Sequence, residues 1–172
     1  MKKSESATKD NKNIEKSAKW RTAAICAIVA AVVLSVTLAI VLPIVKINAD
    51  FDRIFENMEK INSPEVTVTD MAAENVFGNT KGEVTVSSAD LVRELCALSE
   101  NFKYDGRDTD SLGSWDIRFR VRGGGEVCEV YLDEEEMYYT VGGVNYRFEP
   151  KDEKTEKAYG SFLKTIKNLL DE

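Results

Sequence analysis

The sequence predicts an α+β fold: one N-terminal transmembrane helix, followed by a small domain with helices packed on one face of an antiparallel sheet. Three observations support this prediction. Residues 22–45 form an uncharged apolar run, several short segments beyond it alternate apolar and polar residues, and amphipathic helical stretches flank those segments. Strands and helices that follow one another in this way are typical of an α+β domain.

The apolar run of residues 22–45 is long enough to cross a bilayer, since about 20 apolar residues span the hydrocarbon core. A cleavable signal peptide has a shorter apolar region, of roughly 7–15 residues, followed by small residues. The only nearby cleavage site would end at Ala49 with Ile47 two residues before it, which fits poorly. We therefore predict an uncleaved signal anchor.

Charge predicts the orientation. Residues 1–21 contain seven basic and three acidic residues, a net charge of +4, whereas residues 46–172 contain 16 basic and 27 acidic residues, a net charge of −11. The positive-inside rule places the basic tail, which we predict to be disordered, in the cytoplasm. We thus expect a single-pass cell-membrane protein with an extracytoplasmic C-terminal domain, and the acidity of that domain argues against nucleic acid as a partner.

Residues 46–63 are predicted to form a juxtamembrane amphipathic helix that ends before Pro64. Its apolar residues recur every three or four positions: Phe51, Ile54, Phe55, Met58 and Ile61. They could pack on the chain's own domain or continue a contact with another chain outside the membrane. The pattern leaves open whether this helix is continuous with the membrane helix.

The extracytoplasmic domain is predicted to span residues 64–172. Two Val/Thr strands, at 65–69 and 83–87, precede a Leu-rich helix capped by Ser87 or Ser88. After a polar loop at 105–114, four strands form a meander: they lie at 115–122, 127–132, 137–141 and 144–148. An amphipathic helix that begins near Pro150 and Asp152 ends the chain.

This succession of a Val/Thr strand, a Leu-rich helix, a Trp-led strand, a glycine hairpin into VNYRF and a closing amphipathic helix carries a resemblance. It resembles small membrane- or lipid-anchored extracytoplasmic domains of Gram-positive bacteria that have no assigned function. The resemblance covers roughly residues 64–172 and rests on structural patterns. It implies a bacterial origin and an outer-surface location, and it supplies no catalytic residues.

The residue types argue against an enzyme. The chain has no histidine, which removes the commonest general base, and it has no P-loop, G-x-S-x-G or S-x-x-K motif. Asp105, Asp108 and Asp110 lack the spacing of an EF-hand loop. We interpret these acids, and those of residues 133–136, as solvated, and we predict neither a cofactor nor a metal site.

Three groups of residues are candidates for interactions. In the membrane helix, small residues recur every fourth position and could let two helices approach closely: Ala23, Ala27, Ala31, Ser35 and Ala39. In the outer domain, four arginines could bind an anion or a partner's carboxylates, or could pair across strands with Asp116, Glu126 and Glu129: Arg118, Arg120, Arg122 and Arg147. Cys96 and Cys128, both predicted to point inward, are either free thiols or a disulfide.

These patterns favour a non-enzymatic, membrane-anchored accessory or binding module that engages another membrane or envelope protein, with a homodimer as a further arrangement. The alternative is an extracytoplasmic sensor of a small ligand or cation that acts through a partner. Either way, the 21-residue tail is too short to form an output domain in the cytoplasm.

Overall fold

A computed structural model describes the backbone of residues 4–71, 82–108 and 116–171, and the side chains of residues 20–71, 82–107 and 116–171. The chain divides into two compact units, Met1–Ile44 and Val45–Glu172. Helix α1 (Ser4–Lys60) contributes to both units.

The first unit is formed by the N-terminal part of α1. Its side chains from Trp20 to Ile44 are exposed, and this stretch is long and apolar enough to cross a membrane, a property that signal sequences share. The basic tail, which we predict to be disordered, is helical from Ser4 onward. The tail contains neither proline nor glycine, and extending an existing helix is much easier than nucleating one.

The second unit is α+β. After α1 its elements are β1 (Glu65–Asp70), β2 (Glu83–Ser87), α2 (Ala89–Ser99), β3 (Phe102–Asp108), β4 (Ile117–Gly123), β5 (Glu126–Leu132), β6 (Met137–Val141), β7 (Val144–Pro150) and α3 (Glu153–Asp171). The strands form a single antiparallel sheet in the order β2-β1-β4-β5-β6-β7-β3. The predicted meander is β4 to β7.

Strand β3 corrects the prediction of a polar loop at 105–114. It pairs with β7 and forms one edge of the sheet. Its sequence, FKYDGRD, contains aspartates and a glycine, which are depleted in strands, so local pattern pointed to a loop. Pairing with β7, a contact distant in sequence, stabilises the strand nevertheless.

The core lies on the sheet face that contains Phe119 and Phe148. By register, Ile117, Leu132, Met137 and Phe148 form one row across β4, β5, β6 and β7, and all four side chains are buried. Alternate residues of these strands point to the opposite face and are mostly polar. This alternation is the one predicted from the sequence of β4.

The C-terminal part of α1 belongs to this core. Phe51 stacks on Phe148 of β7 with ring centroids 3.7 Å apart, and the hydroxyl of Tyr139 donates to the carbonyl of Ile47. Phe55 and Met58 of α1 are also buried, as is Ile61, which directly follows the helix. The folded unit therefore begins at Val45, and the domain boundary that we predict at residue 64 moves to that position.

Helices α2 and α3 begin at caps that the sequence indicates. The Ser88 hydroxyl accepts a hydrogen bond from the amide of Leu91, and the carboxylate of Asp152 accepts two from Thr155, both of 2.8 Å. Asp90, in the first turn of α2, forms an ion pair with Arg93. From α3, Phe162 packs near Phe119 and Tyr159 contacts Phe102 edge to face.

Candidate functional site

The candidate site is the sheet face opposite the core, which we call the polar face. Arg118, Arg120 and Arg122 share it because they alternate along β4. Arg147 of β7 shares it too, through the row Arg118–Tyr131–Tyr138–Arg147. The polar face also includes residues of β1, β2 and β5: Thr67, Thr69, Glu83, Thr85, Val127 and Glu129. Three strand spacings, each of about 4.8 Å, separate Arg147 from the other arginines.

Arg120 forms an ion pair on the polar face through two nitrogens of its guanidinium group. Its guanidinium contacts the carboxylate of Glu129, its partner on β5, at 2.5 and 2.6 Å, and both side chains are about one quarter exposed. The hydroxyl of Tyr131 donates to the other oxygen of that carboxylate at 2.6 Å. The predicted cross-strand pairing with Glu129 is therefore present.

The structure places the other two predicted partners of the arginines, Asp116 and Glu126, elsewhere. Asp116 lies 3.3 Å from the ammonium of Lys167 on α3. Glu126 is paired in register with Gly123, which alternates with the arginines, so its side chain belongs to the opposite face. Sequence alternation alone could have excluded Glu126, whereas the contact of Asp116 depends on how α3 packs.

Arg118 is enclosed by residues that sequence reasoning did not connect with it. Its guanidinium donates to the Thr69 hydroxyl at 3.3 Å and lies 3.9 Å from the carboxylate of Glu83. Its Nε is buried and has no hydrogen-bond partner among the described residues. Since Glu83 comes from β2, this environment depends on the sheet order and could not be read from β4 alone.

Arg147 is held between two carboxylates. It forms an ion pair with Asp105 of β3, and its Nε lies 3.4 Å from Glu136. Glu136 also accepts a 2.5 Å hydrogen bond from the hydroxyl of Tyr138. Asp105, which we predict to be a solvated acid, is thus part of an ion-pair network.

Arg122 differs from the other three arginines. It is exposed and forms no ion pair with any residue whose side chain the structure describes. Its register partners are Glu65 on β1 and Val127 on β5, and Val127 is 59% exposed. The arginine group therefore consists of three neutralised members and one accessible cation beside an exposed apolar side chain.

The two tyrosines in the central row are neutral hydrogen-bond donors near pH 7. Burial, followed by the hydrogen bond to Glu129, raises the pKa of Tyr131 to about 12. Burial and the hydrogen bond to Glu136 likewise raise the pKa of Tyr138 above its ordinary value. The sequence contained a signal for Tyr131, which alternates with the inward-facing residues of β5, whereas Tyr138 joins the row only through the pairing of β6 with its neighbours.

The predicted cysteine pair is present as two free thiols, Cys96 being buried and Cys128 half-buried. The Cys96 thiol donates to the carbonyl of Phe55 at 3.5 Å. Burial, then the charge of Glu59, raises its pKa to about 11, and burial also raises the pKa of Cys128. A thiol that holds its proton is a poor nucleophile.

The small-residue stripe of the first unit is exposed throughout: Ala23, Ala27, Ala31, Ser35 and Ala39. The Ser35 hydroxyl donates to the carbonyl of Ala31 at 2.8 Å, so the polar group of the stripe is satisfied within its own helix. Pairing through the stripe stays a prediction.

Acidic residues line a surface pocket of about 360 Å³ at the start of α3: Glu135, Glu136, Glu149, Asp152, Glu153 and Glu156. Within the part of the chain that the structure describes, no three His, Cys, Asp or Glu residues are arranged to hold a metal ion. The side chain of Asp108 and all of Asp110 lie outside that part.

Comparisons with known proteins add no relative. No protein-family model, curated protein or solved structure matches the chain. The resemblance to anchored outer domains of Gram-positive bacteria therefore stays a prediction.

Proposed function

We propose that this chain is a non-enzymatic binding module of the cell membrane. Residues 22–45 of α1 anchor it, the N-terminus lies in the cytoplasm, and the unit from Val45 onward lies outside. All three helices cover one face of the sheet in this proposal, and the polar face engages another membrane or envelope protein. A homodimer is the simplest further assembly.

The observation that carries the proposal is the composition of the polar face. It combines arginines and carboxylates that neutralise each other with neutral tyrosines, and Arg122 and Val127 are exposed at one end. Tyrosine and arginine are enriched in protein interfaces, where they add contact area and directed hydrogen bonds. A small free anion would have to displace the carboxylates, whereas a protein surface can match both signs of charge.

The anchor is supported by the exposed apolar stretch of α1 and by the asymmetry of charge. An unpaired apolar surface of this length is unfavourable in water and favourable in hydrocarbon. The basic residues before it and the acidic domain after it agree with the positive-inside rule.

The test is site-specific photocrosslinking of the full-length chain in its native membrane. A photoreactive residue at Val127, on the polar face, should capture a distinct protein that mass spectrometry identifies. The same residue at Lys164, exposed on α3, serves as the matched control and should not capture it. If both positions give the same products, or neither gives any, the polar face is not the binding surface.

The sensor alternative makes a different prediction. A sensor of a small ligand or cation would show a ligand-dependent rise in thermal stability, since a ligand that binds only the folded state stabilises it. The acidic pocket at the start of α3 is where Ca²⁺ or Mg²⁺ would be tried first. Capture from Val127 without any thermal shift would favour the binding module.

A further inference from the structure

Strand β2 forms the edge of the sheet opposite β3. Its partner on one side is β1, and the order of the sheet places no described strand on its other side. An edge strand presents unpaired amide and carbonyl groups on which another strand can pair.

One hydrogen bond shows which residues of β2 direct their backbone amide and carbonyl groups toward β1. The amide of Asp70 donates to the carbonyl of Gly82 at 2.7 Å, so these residues form a hydrogen-bonded pair. Such pairs recur at every second position of an antiparallel ladder, so Val84 and Val86 direct their backbone groups toward β1. The amides and carbonyls of Glu83, Thr85 and Ser87 therefore point away from the sheet, and the side chains of these three residues are exposed.

The two edges of the sheet differ in how they are protected. Strand β3 has a register shift between Tyr104 and Gly106, and it includes Lys103 and Arg107; irregular pairing and cations both discourage the addition of a strand. Strand β2 pairs without interruption and contains no proline, lysine or arginine. It is the open edge.

We propose that β2 pairs antiparallel with β2 of a second copy of this chain, about a two-fold axis through Thr85. The sequence EVTVS is nearly symmetric about that residue. Thr85 would face its own copy, Glu83 would face Ser87, and Val84 would face Val86. Glu83 therefore meets no second carboxylate, and the outward groups of three residues on each strand form about six hydrogen bonds.

The valines support the same arrangement. Val84 and Val86 are half-buried and pack against the core of their own copy. Facing each other across the axis, they would extend the apolar face of one sheet into that of the other. A peptide of arbitrary sequence would satisfy the backbone but would lack this match, so a second copy is the best-fitting partner.

The contact is small, because five residues a side bury less than the roughly 1,000 Å² of a stable interface. Confining both copies to one bilayer raises their effective concentration and compensates for the small area. This step rests on the proposed membrane anchor, and the experiment therefore reports on the anchor separately.

The test measures energy transfer between donor- and acceptor-labelled full-length chains, with dyes on a C-terminal tag, in vesicles of three parts phosphatidylcholine to one part phosphatidylglycerol. Flotation of the vesicles shows whether the chain is anchored. A chain that does not float contradicts the anchor, and the same variants are then compared by sedimentation at high protein concentration. Circular dichroism verifies that each variant is folded.

Four substitutions at Thr85 separate the outcomes. Thr85→Pro removes an outward amide and should abolish the transfer that depends on β2, whereas Thr85→Val keeps the amide and should retain it. Thr85→Lys and Thr85→Glu each place like charges across the axis, so each alone should lose transfer. Mixing these two variants should restore transfer to near the wild-type value.

Restoration by mixing is the decisive result, since contact through the membrane helix or with a different protein would not depend on opposite charges at position 85. The proposal is overturned if Thr85→Pro transfers as strongly as Thr85→Val. It is equally overturned if the mixed Lys and Glu variants transfer no better than either alone.

Discussion

At the scale of single residues, Gly123 lies against the residues that immediately follow α1. A Cβ atom added there would lie 2.3 Å from Cγ2 of Ile61 and 3.3 Å from the carbonyl oxygen of Asn62. We expect Gly123→Ala to lower the free energy of unfolding by about 1–3 kcal/mol, the usual range for overpacking. Urea denaturation of the wild type and the variant measures this change in the free energy of unfolding. Gly106→Ala is the control, because its Cβ would meet only the Arg147 guanidinium at an ordinary 3.5 Å; an equal loss in both variants would contradict the explanation.

Tyr159 is the second residue whose environment makes a sharp prediction. Its buried hydroxyl lies 2.9 Å from the carbonyl of Asp133 and 2.8 Å from that of Glu136, and so fixes the β5–β6 connection against α3. Tyr159→Phe leaves two carbonyls without this donor, and we expect it to cost about 1–3 kcal/mol of unfolding free energy. Tyr146→Phe, whose hydroxyl makes no hydrogen bond with the described residues, should change it by less than about 0.5 kcal/mol. Thermal or urea unfolding compares the two variants.

Buried tyrosines also predict an alkaline limit to stability. Burial raises the pKa of Tyr159 well above its ordinary value and raises the pKa of Tyr139 to about 12. In the unfolded chain these groups lose their protons near pH 10. Below that pH both states are protonated and the stability is complete; above it the unfolded state binds fewer protons, so stability falls as pH rises. Urea titrations between pH 8 and 11.5 should show this fall, and it should be shallower in Tyr159→Phe; an equal slope would contradict the assignment.

At the scale of elements, the sequence predicts the strands whose own residues alternate and the helices whose apolar residues recur with helical periodicity. β4 to β7 and α3 agree with prediction because each has a strong apolar pattern and glycine turns, as at Gly142-Gly143. β3 was missed, since its order depends on pairing with β7 rather than on its own residues. The same limit applies to the candidate site. The four arginines could be identified from β4 and β7, whereas Glu83, Asp105 and Glu136 join them only through the order of strands.

The C-terminal part of α1 yields a prediction at this scale. Phe51 stacks on Phe148 and meets Phe55 edge to face, so this segment is part of the folded unit's core. We expect Phe51→Ala to destabilise the unit by about 3–5 kcal/mol, the usual cost of a large buried aromatic. Asp52→Ala, one position along the helix and exposed, should change stability by less than about 0.5 kcal/mol. If urea denaturation shows similar small effects for both, the segment is a separate linker rather than a core element.

At the scale of the whole molecule, the two units place different demands on the amino-acid sequence. The first unit needs only an apolar surface of sufficient length, whereas the second needs a continuous core built from α1, the sheet, α2 and α3. The small-residue stripe predicts contacts with neighbouring helices in the membrane. The stripe and the core lie in different segments of the sequence, so we expect substitutions in the stripe to leave the second unit folded.

That separation gives the last prediction. In a Thr85→Pro background, which removes the proposed β2 contact, Ala27→Leu together with Ala31→Leu places bulky side chains on the stripe and should abolish pairing of the membrane helices in a bilayer association assay, because close approach requires small residues. Val29→Leu with Val33→Leu changes the opposite side of the helix and should leave association unchanged. Far-UV circular dichroism and the urea midpoint of the second unit should be the same in both double variants. Unchanged association in the alanine variant would remove the stripe as a contact and leave the polar face and the β2 edge as the proposed contact surfaces.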